Sequence, residues 1–292
     1  MCEKGARLCG QMEVSMFNLL RMDLYRMKRG KSVYVCLGVM LIMIVFTLSM
    51  IWLVATPQGK QAAVQLGIFP AEEQAEEGGF QTIVADDDVM AGVDTLVMLR
   101  QTSMDGGVYN LVFGIWVMLF VCADYQSGFI KNVMAAHQNR WKYVVSKIMT
   151  AGIVSFFYLI AQYVFVLIMN RLLGNMAPCA PFGDVLFYLT WAWLLTVAFA
   201  ALTILVCVWT RSVAAGTLTA VLLGSGTVQG PLYMLLNMVH AGGWMKYTIY
   251  YTLDLGPNHY AVPADLYVYA VGVGFLVLYA AVSGVVLKKQ DI

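Results

Sequence analysis

The sequence predicts an all-α, polytopic membrane protein with six transmembrane helices. Apolar residues make up 60% of the 292-residue chain and charged residues only 12%, about half of the roughly 25% that is usual for a soluble domain. Between Lys31 and Lys60 the chain runs for 28 residues without one charged side chain. A helix needs only ~20 apolar residues to cross a bilayer, so this stretch predicts a first span.

Five further apolar runs of similar character follow along the chain, and we interpret residues 1–292 as a single transmembrane domain. The fifth run is the least regular, because Gly224, Gly226, Gly230 and Pro231 are expected to bend or break it and to supply a hinge. The six predicted spans are Ser32–Thr56, Gly107–Ala123, Ile148–Asn170, Val185–Thr210, Val213–Met238 and Leu266–Leu287.

The distribution of basic residues predicts that both termini are cytoplasmic. With the N-terminus placed inside, 14 of the 18 Lys and Arg residues fall in inside segments, whereas 12 of the 17 acidic residues fall outside. An excess of Lys and Arg in cytoplasmic loops is the usual determinant of orientation. The first 15 residues are expected to be a dispensable leader, with the natural start at Met16.

The predicted spans carry no charge near their centres. Asp124, Asp184 and Asp265 all lie at span ends. A charge at the bilayer centre costs about 2.5–3.5 kcal/mol on insertion scales and usually marks an ion or proton pathway. The sequence therefore argues against ion-driven transport and indicates that any energy comes from another polypeptide.

The segment Met16–Lys31 precedes the first span and predicts an amphipathic helix lying in the cytoplasmic membrane interface. Its apolar residues recur every three or four positions, and its basic residues fall mostly on the other side. An ordinary basic flank is the alternative. The apolar side consists of Phe17, Leu20, Leu24 and Met27, and the basic side of Arg21, Arg26, Lys28 and Arg29.

The predicted cytoplasmic link Asp124–Lys147 has the composition of a short amphipathic helix held just below the membrane. Its apolar residues, beginning with Phe129, suit a hydrophobic groove on a partner. Lys131, Asn132 and Arg140 suit the polar rim of such a groove. A connector lying on the bilayer is the alternative.

The two long outer segments are distinct in composition. The loop 57–106 contains the acidic tracts AEEQAEEGG at 71–79 and Asp86–Asp88. It suits either the capture of cationic peptides or a merely solvated loop, and its acids lack the spacing of a calcium loop. The segment 239–265 is rich in Trp and Tyr, which favour the membrane interface.

Enzymatic and nucleic-acid functions are disfavoured. The chain has neither the phosphate-binding motif G-x-x-x-x-G-K-[ST] nor the zinc motif H-E-x-x-H, and its net charge is only +1. No pair of the six cysteines has C-x-x-C spacing, so we predict neither a disulfide nor a metal site. We expect a non-catalytic chain without a nucleic-acid partner.

The link after the second span resembles a known family. Asp124, Gly128, Lys131, Arg140 and Lys147 occur in the order acid-x-x-x-Gly-(Thr/Phe)-x-(Lys/Arg)…Arg…Lys, which is similar to that of ATP-binding-cassette (ABC) type-2 permeases. The N-terminal segment NLLRMDLYRMKRGKS and the six-span plan resemble that family too, especially its bacterial lantibiotic-immunity and peptide-exporter branch. One departure is Asp124, where the family commonly has Glu.

The resemblance implies a mechanism and its partners. The segment after span two would be a coupling helix that docks on a separate ATPase dimer through Gly128, Phe129, Lys131 and Asn132, with Asp124 and Arg140 bracketing it. Segment 239–265 would form short re-entrant helices.

The chain would bind no cofactor itself, because Mg-ATP would be held by the partner. A second permease subunit, identical or similar, would complete an exporter of peptides or amphiphiles in the bacterial plasma membrane. The alternative is a non-transporting scaffold or sensor that binds a ligand through its outer acidic loop.

Overall fold

The computed structural model describes residues 16–65, 92–131 and 141–289. Throughout these ranges all regular secondary structure is helical. Several predictions concern residues outside the described part of the chain, namely the leader 1–15, the acidic tracts 71–79 and 86–88, Asn132 and Arg140.

The described residues form eleven α-helices and several short 3₁₀ or π segments. The π segment Arg100–Met104 and the 3₁₀ segment Asp105–Gly107 lead into the helix that begins at Val108, and the 3₁₀ segments Gly242–Tyr247 and Pro263–Leu266 flank the helix Ile249–Leu255. The α-helices are α1 Met16–Arg29, α2 Lys31–Ala55, α3 Pro57–Gln65, α4 Thr95–Leu99, α5 Val108–Gln126, α6 Trp141–Leu172, α7 Phe182–Thr210, α8 Val213–Gly224, α9 Gln229–Met238, α10 Ile249–Leu255 and α11 Tyr267–Lys289.

Five helices in the described ranges are long and apolar enough to cross a membrane: α2, α5, α6, α7 and α11. A multi-pass helical membrane protein is therefore supported. The predicted fifth span differs, because residues 213–238 form two shorter helices, α8 and α9, separated by residues 225–228. The count of six spans and the orientation of the termini stay predictions.

Helix α7 lies at the centre of the bundle, packed against α5, α6, α8 and α11. Small residues such as Ala198 and Ala201 are fully buried on it and let its neighbours approach closely. A buried hydrogen-bond chain also crosses the core, since the Tyr109 hydroxyl lies 2.9 Å from Ser155 Oγ, which lies 2.6 Å from Thr196 Oγ1. These contacts join α5, α6 and α7.

A ladder of stacked aromatic rings runs along one face of α5. Its steps are Tyr109, Phe113, Trp116 and Phe120, with ring centroids 5.4–5.7 Å apart. Spacings of three and four residues place these side chains on one face of a helix. The ladder leads from the end of the bundle that carries α4 to the end that carries α1, where Phe120 borders a cluster of charged side chains.

Candidate functional site: a buried ion-pair cluster

Helix α1 packs on α6 through a face that contains an acid. Leu19 and Asp23 are buried on it, whereas Phe17 is 70% exposed. Of the predicted apolar face, Met27 packs against the core, whereas Leu20 and Leu24 are half-buried and Phe17 is exposed, so the packing face is centred on Leu19 and Asp23 instead. Burial of Asp23 at this contact requires charged or hydrogen-bonding partners, because an unpaired buried carboxylate is strongly unfavourable.

Two carboxylates and two cations meet at this end of the bundle. Asp23 and Arg26 belong to α1, Asp124 to α5 and Lys147 to α6. Lys147 Nζ lies 2.8 Å from Asp23 Oδ1 and 2.7 Å from Asp124 Oδ2. Arg26 Nη1 lies 2.7 Å from Asp124 Oδ1. Tyr143 donates a hydrogen bond of 3.1 Å to Asp124 Oδ2. With Ser146, which donates to Asp23 Oδ2 at 3.0 Å, we call these residues the ion-pair cluster.

Aromatic rings cover both cations of the ion-pair cluster. Lys147 Nζ lies 4.0 Å from the centroid of the Phe120 ring, and the Arg26 guanidinium lies 4.7 Å from that of Phe129. A cation over an aromatic face is attracted by the ring quadrupole, and the attraction is larger where water is excluded. The Asp23, Asp124 and Lys147 side chains are almost completely buried, and only Arg26 keeps contact with solvent, at 36% exposed.

The ion-pair cluster connects α1, α5 and α6. Its two positive and two negative charges balance, and both oxygens of each carboxylate have partners. Removing one member of a buried ion pair typically costs about 3–5 kcal/mol, since the other charge is left uncompensated. The cluster therefore holds α1 and the adjoining ends of α5 and α6 in one arrangement. Among the described residues, no three His, Cys, Asp or Glu side chains are grouped as metal ligands would be.

A left-handed turn follows the cluster. Helix α5 ends at Gln126, and Gly128 has φ +68°, a conformation that glycine adopts without strain. A new helical turn begins at Phe129, where the Lys131 amide donates to the Gly128 carbonyl at 3.1 Å. One helix thus ends and a new helical turn begins within a few residues of Asp124.

The predicted docking residues have different environments. Lys131 is exposed and Phe129 is half-buried beneath Arg26, whereas Asp124 is fully buried. Asp124 is therefore an internal group at the start of the predicted interface segment, and its expected role of bracketing the coupling helix stays a prediction. Arg26, predicted to face lipid head groups, instead binds Asp124.

Sequence reasoning did not single out Asp23 or Tyr143, and it named Lys147 only as the last residue of the motif. One signal was present, because Asp23 is the only acid within the otherwise basic segment Met16–Lys31. An isolated acid in a basic amphipathic helix is unfavourable near anionic lipid and indicates a specific cationic partner. Which cation it pairs with, 124 positions away, required the packing of α1 on α6.

The interruption between α8 and α9 lies at the end of the bundle opposite the ion-pair cluster, and close contacts at Gly224 and Gly226 leave no room for a side chain there. Gly226 has φ +71°, and a Cβ atom placed there would overlap the Tyr250 ring. Gly224 lies against the backbone of α5, where a Cβ would come within 2.7 Å of Leu111 Cα. Nothing lies within 4 Å of the corresponding position at Gly230. The predicted break is confirmed as a feature of the chain, and its use as a hinge stays a prediction.

Two carboxyls interact beside this break. Arg100 Nε lies 3.7 Å from Asp105 Oδ1, and its Nη1 donates to Asn258 Oδ1 at 3.1 Å. Burial raises the pKa of Asp105; Arg100 opposes this effect, while the charge of Asp254 and its hydrogen bond with Asp105 add to it. Burial also raises the pKa of Asp254. The pair therefore retains a proton at a pH where isolated aspartates are ionised.

The segment 239–265 contains short helical elements, and the re-entrant arrangement that the resemblance implies for them stays a prediction. The segment Gly242–Tyr247 and α10 lie between α9 and α11 in the chain. Beyond them, the ring nitrogens of His259 lie 3.0 Å from Asp184 Oδ2 and 3.4 Å from Asp94 Oδ2. His259 thus joins this segment to α7 and to the N-cap of α4.

No protein-family model matches this chain, and no curated protein matches it significantly.

Proposed function

We propose that this chain is the membrane-spanning subunit of an ABC exporter, driven by ATP that a separate ATPase dimer hydrolyses. The observation that carries the proposal is the ion-pair cluster. It joins α1 to the two helix ends that border residues 127–140, the segment expected to dock on the ATPase. A displacement of that segment would therefore be transmitted to α1, α5 and α6 together.

The location of buried charge supports this proposal. In the described helices, the fully buried charged side chains are Asp23, Asp124 and Lys147, and all three belong to the ion-pair cluster. A transporter that couples to an ion gradient usually carries ionisable groups along its path through the membrane. An energy source outside this chain agrees better with the observed arrangement.

The proposal gives the other components of the complex as well. Mg-ATP would bind to the ATPase dimer, and a second permease subunit, identical or related, would complete the transport path. The cargo would be a peptide or an amphiphile, and the location the bacterial plasma membrane.

The test is co-purification of the tagged chain with an ATPase from native membranes, followed by nucleotide hydrolysis of the complex. Lys131 is exposed at the proposed docking surface, so Lys131→Glu is expected to weaken ATPase association about tenfold, a loss of ~1.4 kcal/mol. Lys246→Glu reverses an exposed charge at the opposite end and serves as the matched control. Purification without an ATPase, or equal effects of both variants, would contradict the proposal.

A further inference from the structure

A cavity of about 230 Å³ lies at the break between α8 and α9. Its walls come from α5, α7, α10 and α11 as well as from the break itself, and they are mostly apolar. Phe199, Leu202, Leu253 and Phe275 contribute to these walls. An apolar cavity of roughly 150 Å³ is large enough to admit benzene, so this one has room for a ring or a short alkyl chain.

A second cavity of about 630 Å³, which is largely open to the outside of the chain, adjoins the first and shares Leu232, Thr248 and Phe275 with it. Trp244 and Tyr247 also line this larger cavity, and both are exposed. Trp and Tyr are typical of the boundary between lipid and water. The joined cavities therefore extend from residues suited to the membrane interface into the apolar interior.

Helix α9 borders both cavities and is loosely held. It has no buried residue, and its main packing partner among the described elements is the segment Gly242–Tyr247. A helix that buries little surface can move at low free-energy cost. Motion of α9 therefore offers a route by which a ligand can enter without disrupting the α5–α7 core.

The chemistry of the walls favours a lipid-like chain over a peptide. Over the described residues, no charged side chain lines either cavity, and the amide side chains there are Asn110 and Gln229. Peptide groups lose their water hydrogen bonds on entering such a space and would find few replacements. An alkyl chain has no hydrogen bonds to lose, and it exchanges the apolar surroundings of the bilayer for an apolar wall at little cost.

We infer that the joined cavities are a binding site for a single-chain amphiphile of the membrane. Its alkyl chain lies between α9 and the α7–α11 wall, and its polar head lies near Trp244 and Tyr247. This inference goes beyond the proposed function, because binding requires neither ATP nor a partner subunit. Its failure would leave the exporter proposal intact.

The test uses the full chain in phosphatidylcholine nanodiscs without nucleotide. A trace of lysophosphatidylcholine with a diazirine at its chain end is photolysed, and the labelled residues are mapped by peptide mass spectrometry. We expect labelling concentrated at Leu202, Leu253 and Phe275, and we expect excess unlabelled lysophosphatidylcholine to suppress it. Labelling that does not saturate, or that is confined to the exposed faces of α2 and α11, would overturn the inference.

Cavity-filling variants provide the second measurement. Leu202→Trp is expected to reduce labelling of the other wall residues about tenfold, since the larger side chain occupies the space that the alkyl chain needs. Leu232→Trp is expected to reduce the labelling to the same extent. Leu232 lies on α9, which has no buried residue, so a larger side chain there is compatible with folding. Val277→Trp is the control, because Val277 is 61% exposed on α11. Equal labelling in the control and both cavity variants would refute the site.

Discussion

Lys147 is the residue on which the packing of three helices depends. Its ammonium group contacts carboxylates from α1 and α5 and lies over the Phe120 ring, while its own backbone belongs to α6. Its side chain is fully buried, so water cannot replace any of these contacts. The pair of carboxylates around it would repel one another if the lysine were neutral or absent.

Replacing Lys147 with methionine keeps the length of the side chain and removes its charge. We expect Lys147→Met to lower the free energy of unfolding by about 3–5 kcal/mol, because Asp23 and Asp124 then remain buried without sufficient positive charge. The measurement is thermal or SDS unfolding of the purified protein. Lys288→Met, at an exposed position near the end of α11, is expected to have almost no effect.

A double variant separates loss of charge balance from loss of packing. Asp23→Asn combined with Lys147→Met leaves Arg26 and Asp124 as a neutral pair. This variant is expected to recover about half of the lost stability, since coupled charges are not additive. A double variant less stable than Lys147→Met alone would show that the charge argument is wrong.

Sequence reasoning found the neighbourhood of the cluster but not its contacts. Asp124 and Gly128 were singled out from a motif, and Gly128 has the left-handed conformation that explains a glycine there. The motif could not show that Asp124 faces inward. On a helical wheel, a side that faces lipid and a side that faces another helix are both apolar. The sequence pattern therefore does not show which distant residues contact each other in the fold.

The divided fifth apolar segment is the element that differs most from a simple span. Apolar composition alone predicts one helix across residues 213–238, whereas the structure ends α8 at Gly224 and begins α9 at Gln229. Tyr250 from α10 lies where a side chain at Gly226 would otherwise sit. The break is therefore maintained by a tertiary contact as well as by local backbone preference.

Gly226→Ala tests whether that contact is required. The substitution places a Cβ at a residue with φ +71° and against the Tyr250 ring, so we expect a loss of about 1–2 kcal/mol from the backbone alone and more from the overlap. Thermal unfolding measures the loss. Gly230→Ala is the matched control, because it lies in α9 with open space around it and is expected to be neutral or stabilising by up to ~1 kcal/mol. Equal destabilisation by the two variants would contradict this account.

One predicted span boundary differs from the helix boundary in the structure, at a place where protein contacts replace lipid contacts. The third span was predicted to begin at Ile148, but α6 begins at Trp141. The additional turns carry Tyr143, Ser146 and Lys147, which the sequence assigned to the cytoplasmic link Asp124–Lys147. These side chains lie inside the ion-pair cluster, so α6 continues without a break through residues that were predicted to precede the span.

At the scale of the whole molecule, orientation in the membrane is the main prediction to test. Cys179 is exposed in the connection between α6 and α7, whereas Cys122 and Cys207 are buried. If the N-terminus is cytoplasmic, a membrane-impermeant maleimide added to intact cells should label Cys179. Cys179→Ser should abolish this labelling. Labelling that appears only after permeabilisation would reverse the predicted orientation.

The sequence by itself determined that the chain is helical and spans a membrane, because hydrogen-bond satisfaction in lipid leaves long apolar segments no other structure than the helix. It also located the irregular fifth segment, since Gly and Pro act through local backbone geometry. Only the tertiary structure decided that Asp23, Asp124, Arg26 and Lys147 neutralise one another, and that a cavity opens beside α9. Those features depend on which helix faces pack together, and apolar periodicity does not distinguish a neighbouring helix from lipid.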